Sequence, residues 1–239
     1  MTDFYSVILA ATGNEYENDF NSTFNRFEVK VNNEFLSDLS VFQNSGTLGT
    51  LIVLSSSQRL TMDGRFNFER SLKHFLENPT RGALCTLGMA ISNIPSGVPI
   101  VVSSIHGYMK EGLKDFVTAM VSSEAEAGII TFKSNSDKYS YLRIIDGKIL
   151  EISEKVIISN DATAGIFYFK NRDYILNALE WALLNNIKTS GTYYVAPSLN
   201  YFVTNNMRIL PWFVSESEYI RFSSEDEARQ MIEKMRKGD

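Results

Sequence analysis

Residues 141–170 read YLRIIDGKILEISEKVIISNDATAGIFYFK, and this stretch decides the fold. Apolar and β-branched residues lie on both sides of the pair Asp146-Gly147. An Asp-Gly pair favours a two-residue hairpin, because both central positions of that turn need positive φ. A polar loop at 159–163 then precedes a second apolar run that begins after Gly165. The pattern predicts strand, tight turn, strand, loop and strand.

Alternating apolar runs and amphipathic segments extend this pattern over the whole chain. Continuous apolar runs predict buried strands at 4–11, 49–55, 98–104, 127–132 and 207–214. Apolar residues at helical spacing predict helices at 66–77, 84–91, 113–122, 173–185 and 225–236, with another helix opening at 193–197. In the helix at 173–185 we expect four side chains to be buried: Ile175, Leu179, Trp181 and Leu184. This alternation predicts an α/β fold with helices on both sides of a mixed, mainly parallel sheet.

Composition limits the class of protein and its partners. A chain of 239 residues without a Pro/Gly/Ser-rich linker favours one domain. The net charge of −5 argues against a nucleic-acid backbone as partner, because that binding needs clustered Lys and Arg. Cys85 is the one cysteine, which excludes an internal disulfide and suits a reducing cytoplasm. No apolar run has the length of a membrane span, and the first residues lack a basic signal-peptide region. We therefore expect a cytoplasmic protein without a membrane partner.

Three segments occur in an order that suggests a family. They are GALCTL at 82–87, the pair Glu154-Lys155 followed by GIFYF at 165–169, and GTYYVAPSLN at 191–200. The series resembles the sugar nucleotidyltransferases, which join a sugar 1-phosphate to a nucleoside triphosphate and release pyrophosphate. The resemblance implies the three-layer α/β/α fold of nucleotide-diphospho-sugar transferases. It also implies one domain over 1–239, with a nucleotide-binding half at 1–110 and an acceptor-binding half at 111–239.

The acceptor side of the site is implied by the later segments. By resemblance, Glu154 meets sugar hydroxyls, and Lys155 binds the acceptor phosphate and is a catalytic residue. The other residues implied to line this side are Ser140, Tyr141, Asn160, Thr163, Gly165 and Tyr194. A structural interpretation stays open as well, in which Glu154 and Lys155 form a solvated pair and Gly165 is a packing glycine.

The triphosphate side departs further from the family pattern. The resemblance places Ala11 and Gly13 in the loop after the first strand, Arg26 on phosphate as a catalytic residue, and Arg81, Gly82 and Ala83 against the base. The loop keeps one glycine, and Glu15 and Glu17 add negative charge that a triphosphate repels. An ordinary βα turn is therefore the favoured interpretation of Gly13. For Arg26, a phosphate contact and a solvated side chain before a hairpin are equally open.

Mg²⁺ is the cofactor that the resemblance implies for an active enzyme, but its carboxylate ligands are not evident. His106 stands where the family has an aspartate, and imidazole is a poor ligand for Mg²⁺. The alternatives for His106 are a ligand to a softer metal, a hydrogen-bond donor to phosphate, and loss of the metal site, which is the favoured interpretation. Cys85 has no base beside it in sequence, so we predict a packed apolar group rather than a nucleophile.

Three functions remain open from the sequence. The first is nucleotidyl transfer from a nucleoside triphosphate to a sugar or polyol phosphate, in the synthesis of surface polysaccharide. The second is an inactive relative that binds a sugar phosphate, a nucleotide sugar or a protein partner. The third is a glycosyltransferase that uses no metal. Nucleotides and sugar phosphates are the expected partners, and a homo-oligomer is compatible with all three functions.

Overall fold

A computed structural model describes residues 3–9, 47–56, 71–104, 107–109, 112–215 and 218–221. The predicted site residues Ala11, Gly13, Arg26 and His106 lie outside this part of the chain, as does the helix predicted at 225–236.

The described chain is built around one mixed sheet. Its strands are β1 (Phe4–Leu9), β2 (Thr47–Ser55), β3 (Ser71–Leu76), β4 (Ile100–Ser104), β6 (Ala127–Lys133), β7 (Ser140–Ile145), β8 (Lys148–Glu154), β9 (Asp161–Phe169) and β10 (Ile209–Phe213). The main order is β10-β6-β9-β4-β1-β2-β3, and β7 extends from β9 and pairs with β8. Strand β9 is antiparallel to both β4 and β6, whereas β1 is parallel to β2 and β4. Two short strands, β5 (Gly107–Met109) and β11 (Tyr219–Arg221), form a separate antiparallel pair.

Helices cover both faces of the sheet. The helices are α1 (Ala83–Ala90), α2 (Leu113–Ser122), α3 (Arg172–Leu184), α4 (Val195–Ser198) and α5 (Asn200–Thr204), with a short 3-10 turn at Ile91–Asn93. Buried residues of α1, α3, α4 and α5 pack in one apolar core with one face of the sheet, which we call the helix-rich face. Helix α2 packs Leu113, Phe116, Val117 and Met120 against the other face. The arrangement is the three-layer one predicted from the sequence. No helix in the described ranges is both long and apolar enough to cross a bilayer.

The hairpin predicted at Asp146-Gly147 is confirmed. These two residues connect β7 to β8 with φ of 50° and 75°. Both values are positive, which is the property that makes Asp-Gly suitable for this turn. A bulge between Arg143 and Ile144 then shifts the register by one residue, so that Ser140 lies opposite Glu154.

Two local predictions are wrong. The helix predicted at 66–77 is contradicted at its end, where 71–76 forms strand β3, parallel to β2. Its apolar residues fit a helical spacing, but pairing with β2 satisfies the backbone and leaves Leu72 exposed. In α3, Leu184 is exposed rather than buried, because the side turned to the core carries Ile175, Ala178 and Ala182. Leu179 and Trp181 of the same helix are partly buried against that core.

Candidate functional site

Four buried polar side chains form a row across the sheet. Ser140 pairs with Glu154, and Thr131 pairs with Thr163. Tyr141 pairs with Ala162, so Ser140 and Thr163 are the next facing positions on β7 and β9. Facing residues of antiparallel strands share one side of a sheet. The neighbours Tyr141, Ala162, Ile130 and Phe132 belong to the α2 side of the core, which places the row on the helix-rich face. We call Thr131, Thr163, Ser140 and Glu154 the polar row.

The polar row is buried, and its members differ in whether they have hydrogen-bond partners. Relative exposures are 0% for Thr131, 4% for Thr163 and 8% each for Ser140 and Glu154. The Ser140 hydroxyl donates to a Glu154 carboxylate oxygen, and the Thr131 hydroxyl donates to the Ile129 carbonyl over 3.2 Å. Among the described residues the Thr163 hydroxyl has no hydrogen-bond partner. A buried hydroxyl without a partner is costly, so its presence beside other polar groups points to a ligand or water as the missing partner.

Gly165 opens a space beside this row. Ile129 pairs with Phe167 and Thr131 with Thr163, so β9 places three residues where β6 has one. The extra residues form a bulge in which Gly165 has φ of 71°. No described atom lies within 4 Å of where a Cβ on Gly165 would be. A glycine bulge in a central strand, with open space above it, is a place where a ligand can approach the backbone.

Lys155 lies at the end of β8, directly after the polar row. Its backbone is left-handed with φ of 57°, which is uncommon for a residue with a side chain. Its N–H donates to the Tyr139 carbonyl over 3.0 Å, and its Nζ donates to the Tyr194 hydroxyl over 3.0 Å. The ring centroid of Tyr194 lies 5.0 Å from the same Nζ, so the ammonium group is closer to the hydroxyl than to the ring. The ammonium group is thus bonded to Tyr194, directly after the strand that ends at Glu154.

The nucleotide segment predicted at Arg81–Ala83 is held against Tyr193. The Tyr193 N–H donates to the Arg81 carbonyl over 2.9 Å, and the Leu84 N–H donates to the Tyr193 carbonyl over 3.1 Å. Gly82 lies between these bonds with φ of 128° and ψ of 173°, a conformation that is accessible only to glycine. A Cβ at Gly82 would lie 2.4 Å from the Tyr193 carbonyl oxygen. The need for glycine here is therefore explained by the backbone contact with Tyr193.

Asn200 fixes the helical side of the site to β8. Its amide accepts a hydrogen bond from the Ile152 N–H over 3.0 Å and donates to the Ile152 carbonyl over 2.7 Å. Its amide nitrogen also lies 3.0 Å from the Pro197 carbonyl. The side chain thus acts as a neighbouring strand would, because it satisfies both backbone groups of a residue at the edge of the sheet. The result is a fixed distance between β8 and the segment that carries Tyr194.

The other predicted site residues lie outside the polar row. Tyr141 is fully buried in the α2 side of the core, and its hydroxyl donates to the Ser136 carbonyl over 2.7 Å. Asn160 is exposed, and its carbonyl accepts from the Ser134 N–H. Arg81 is exposed, and Ala83 is the first residue of α1. Their contacts with a ligand remain predictions, and Tyr141 has an evident packing role.

Cys85 and possible metal ligands add little chemistry to the described part of the site. Burial raises the pKa of the Cys85 thiol, and a backbone hydrogen bond and the charge of Arg81 oppose this shift. A raised pKa reduces the thiolate fraction at neutral pH, as expected for a packing cysteine.

The described residues contain no group of three or more His, Cys, Asp or Glu side chains that could hold a metal ion. The Mg²⁺ that the resemblance implies stays a prediction.

Sequence reasoning missed Thr131 and the role of Asn200. Thr131 lies within the apolar run of β6, and only strand register places it beside Thr163. Asn200 was part of the GTYYVAPSLN resemblance, but its bond to Ile152 connects residues 48 positions apart. No local pattern signals either contact.

The fold is shared with solved nucleotidyltransferase structures. The nucleoside-diphosphate-sugar pyrophosphorylase from Vibrio cholerae RC9 aligns with a TM-score of 0.76 and 15% identity, covering 95% of this chain and 99% of its own. A Bacillus anthracis structure named as a glucose-1-phosphate thymidylyltransferase, in complex with a sucrose, aligns with a TM-score of 0.72 and 13% identity. The alignment covers 95% of this chain and 94% of that one. The inositol-1-phosphate CTP transferase from T. maritima aligns with a TM-score of 0.66 and 10% identity, and the alignment covers 95% of this chain and 92% of that one. No protein-family model and no curated protein matches the sequence. Identities this low show the fold alone, and the predicted α/β/α fold is confirmed.

Proposed function

We propose that this protein binds a nucleotide and a sugar or polyol phosphate next to each other on the helix-rich face, and transfers the nucleotidyl group between them. The observation that carries the proposal is the combination of the polar row, the open space at Gly165 and the ammonium group of Lys155. These supply hydroxyl-binding groups, room for a ligand and a phosphate-binding charge at one end of β8. The polysaccharide precursor predicted from the sequence would be the product of this reaction.

The proposed reaction joins two phosphates without a covalent enzyme intermediate. An oxygen of the acceptor phosphate attacks the α-phosphorus of a nucleoside triphosphate, a new P–O bond forms, and the bond to the β-phosphate oxygen breaks to release pyrophosphate. Such catalysis depends mostly on positioning and on offsetting negative charge. Lys155 offsets the negative charge of the acceptor phosphate, and Glu154 and Ser140 bind the hydroxyls of the acceptor sugar or polyol. Gly82 and Ala83 contact the base of the nucleotide. No step is assigned to a metal, because the described residues contain no group of three or more possible metal ligands.

Binding without transfer is the second candidate. Specific features favour it: the acceptor side is well organised among the described residues, whereas those residues hold no carboxylate cluster for Mg²⁺. Losing one charge-stabilising donor can reduce a rate by about 10²–10³, so a protein that has lost transfer activity can still bind the ligand. A glycosyltransferase without a metal is the remaining alternative, and it predicts binding of nucleotide sugars rather than triphosphates.

A thermal-shift panel separates these functions. The panel comprises the nucleoside triphosphates with and without Mg²⁺ or Mn²⁺, then glucose 1-phosphate, inositol 1-phosphate and nucleotide sugars. A ligand at 100 times its Kd adds about 2.7 kcal/mol to the free energy of unfolding. For a chain of this size the melting temperature then rises by roughly 5–10 °C. A shift with one triphosphate and a sugar phosphate, followed by pyrophosphate release from the mixture, supports transfer. Shifts without pyrophosphate release support binding alone, and no shift with any compound would refute the proposal.

Two glycine variants locate the ligand within the fold. Gly165 and Gly147 have similar φ of 71° and 75°, and neither has a described atom within 4 Å of an added Cβ. Alanine at either position therefore costs about the same strain, on the order of 1 kcal/mol. Gly165→Ala should weaken sugar-phosphate binding, because its methyl group enters the space beside the polar row. Gly147→Ala, in the hairpin turn, should leave binding unchanged. Equal affinities for the two variants would contradict this placement.

A further inference from the structure

Lys155 and Tyr194 differ in how firmly they are held. Tyr194 directly precedes α4, whose four residues are all buried. The preceding residue, Tyr193, has both backbone groups bonded to the segment that leads into α1. Lys155 in contrast is exposed, on a long side chain that follows the last residue of β8. The backbone on both sides of Tyr194 is therefore anchored, whereas the ammonium group bonded to its hydroxyl is carried on a long, exposed side chain.

We propose that Tyr194 is a positioning residue that holds the Lys155 ammonium group ready for an anionic phosphate and connects its position to the Arg81–Leu84 segment. This inference rests on the proposed function and deepens it. The hydrogen bond of 3.0 Å is the contact that carries it. An ammonium group has three donors, so a bond to Tyr194 is compatible with a bond to phosphate.

The size of the effect follows from side-chain freedom. A free lysine side chain has several rotatable bonds and loses much of that freedom when it binds a ligand. Immobilising such a side chain at an interface reduces affinity by about 3-fold to 10-fold. Tyr194 restricts the side chain before the ligand arrives, so its hydroxyl should improve phosphate affinity by about that factor. Contacts of an exposed charge are screened by solvent, which makes a larger effect unexpected.

Tyr194→Phe tests the hydroxyl, because it keeps the ring and removes the acceptor of the Lys155 hydrogen bond. Affinities for glucose 1-phosphate, inositol 1-phosphate and inorganic phosphate are measured by titration calorimetry. Tyr194→Phe should reduce the affinity for whichever of these probes binds by about 3-fold to 10-fold. Tyr201→Phe is the control, since Tyr201 is half-buried like Tyr194 and lies in the next short helix, α5. It should change affinity less than twofold.

A double-mutant cycle separates positioning from general damage. If Tyr194 acts through Lys155, then Tyr194→Phe should have no further effect on affinity in a Lys155→Ala background. An equal loss in that background would overturn the proposal, as would an unchanged affinity of Tyr194→Phe in the wild-type background. No binding of any probe to the wild-type protein would refute the proposed function itself, and the inference with it.

Nuclear magnetic resonance of lysine Nζ gives a readout that needs no ligand. The hydrogen bond predicts slowed exchange of the Lys155 ammonium protons with water, in a signal assigned with Lys155→Arg. Tyr194→Phe should speed that exchange, because it removes the acceptor of this hydrogen bond. Fast exchange in the wild-type protein would overturn the proposal whether or not a sugar phosphate binds.

Discussion

Replacing Gly82 with alanine should destabilise the protein strongly, because the backbone around it cannot move aside. The Cβ would lie 2.4 Å from the carbonyl oxygen and 2.8 Å from the nitrogen of Tyr193. Relief requires Tyr193 to shift, which breaks its hydrogen bonds with Arg81 and Leu84. Two such bonds contribute about 1 kcal/mol each, and the φ of 128° adds about 1–3 kcal/mol of strain. The sum is a loss of about 3–5 kcal/mol in the free energy of unfolding.

The control for this prediction is Gly97→Ala. Gly97 has φ of 79°, and no described atom lies within 4 Å of an added Cβ. Its variant therefore carries only the left-handed strain, about 1–2 kcal/mol. Urea-unfolding midpoints of the two variants and the wild type, analysed with a common slope, give the comparison. A Gly82→Ala variant within about 1 kcal/mol of the Gly97→Ala variant would refute the argument that Tyr193 confines Gly82.

Further predictions concern one amide, one strained lysine and one buried hydroxyl. Asn200→Ala should reduce the free energy of unfolding by about 2–4 kcal/mol, because it leaves the buried N–H and carbonyl of Ile152 without partners; urea unfolding with no change would contradict this. Lys155→Gly should raise stability by about 0.5–1 kcal/mol, because it relieves a left-handed backbone, yet weaken sugar-phosphate binding. Glu124→Gly, with φ of 55°, should raise stability equally and keep binding. Burial raises the pKa of Tyr168 to about 12, so the unfolded chain ionises first and stability falls between about pH 10 and pH 12. Tyr168→Phe should reduce that fall, and an unchanged alkaline unfolding profile would show that this hydroxyl is not responsible.

Local chemistry explains the parts of the fold that sequence reasoning predicted. The turn at Asp146-Gly147 depends on two adjacent residues that accept positive φ, and helix α2 depends on apolar residues three and four apart. Both signals lie within a short window, so they were predicted at the positions where the structure has them. The error at β3 has the complementary cause, since apolar residues at 72, 75 and 76 fit a helix or a strand and pairing with β2 decides between them.

The candidate site shows the same division between sequence and structure. The sequence by itself determined which chemical groups were available: the pair Glu154-Lys155, the glycines at 82 and 165, and the tyrosine before the buried turn of α4. Only the tertiary structure decided which of them meet. Register across β6, β9, β7 and β8 brings Thr131 into line with Glu154, and the bond from Lys155 to Tyr194 spans 39 positions. Such contacts depend on strand pairing and helix docking far apart in the chain, and no local propensity encodes them.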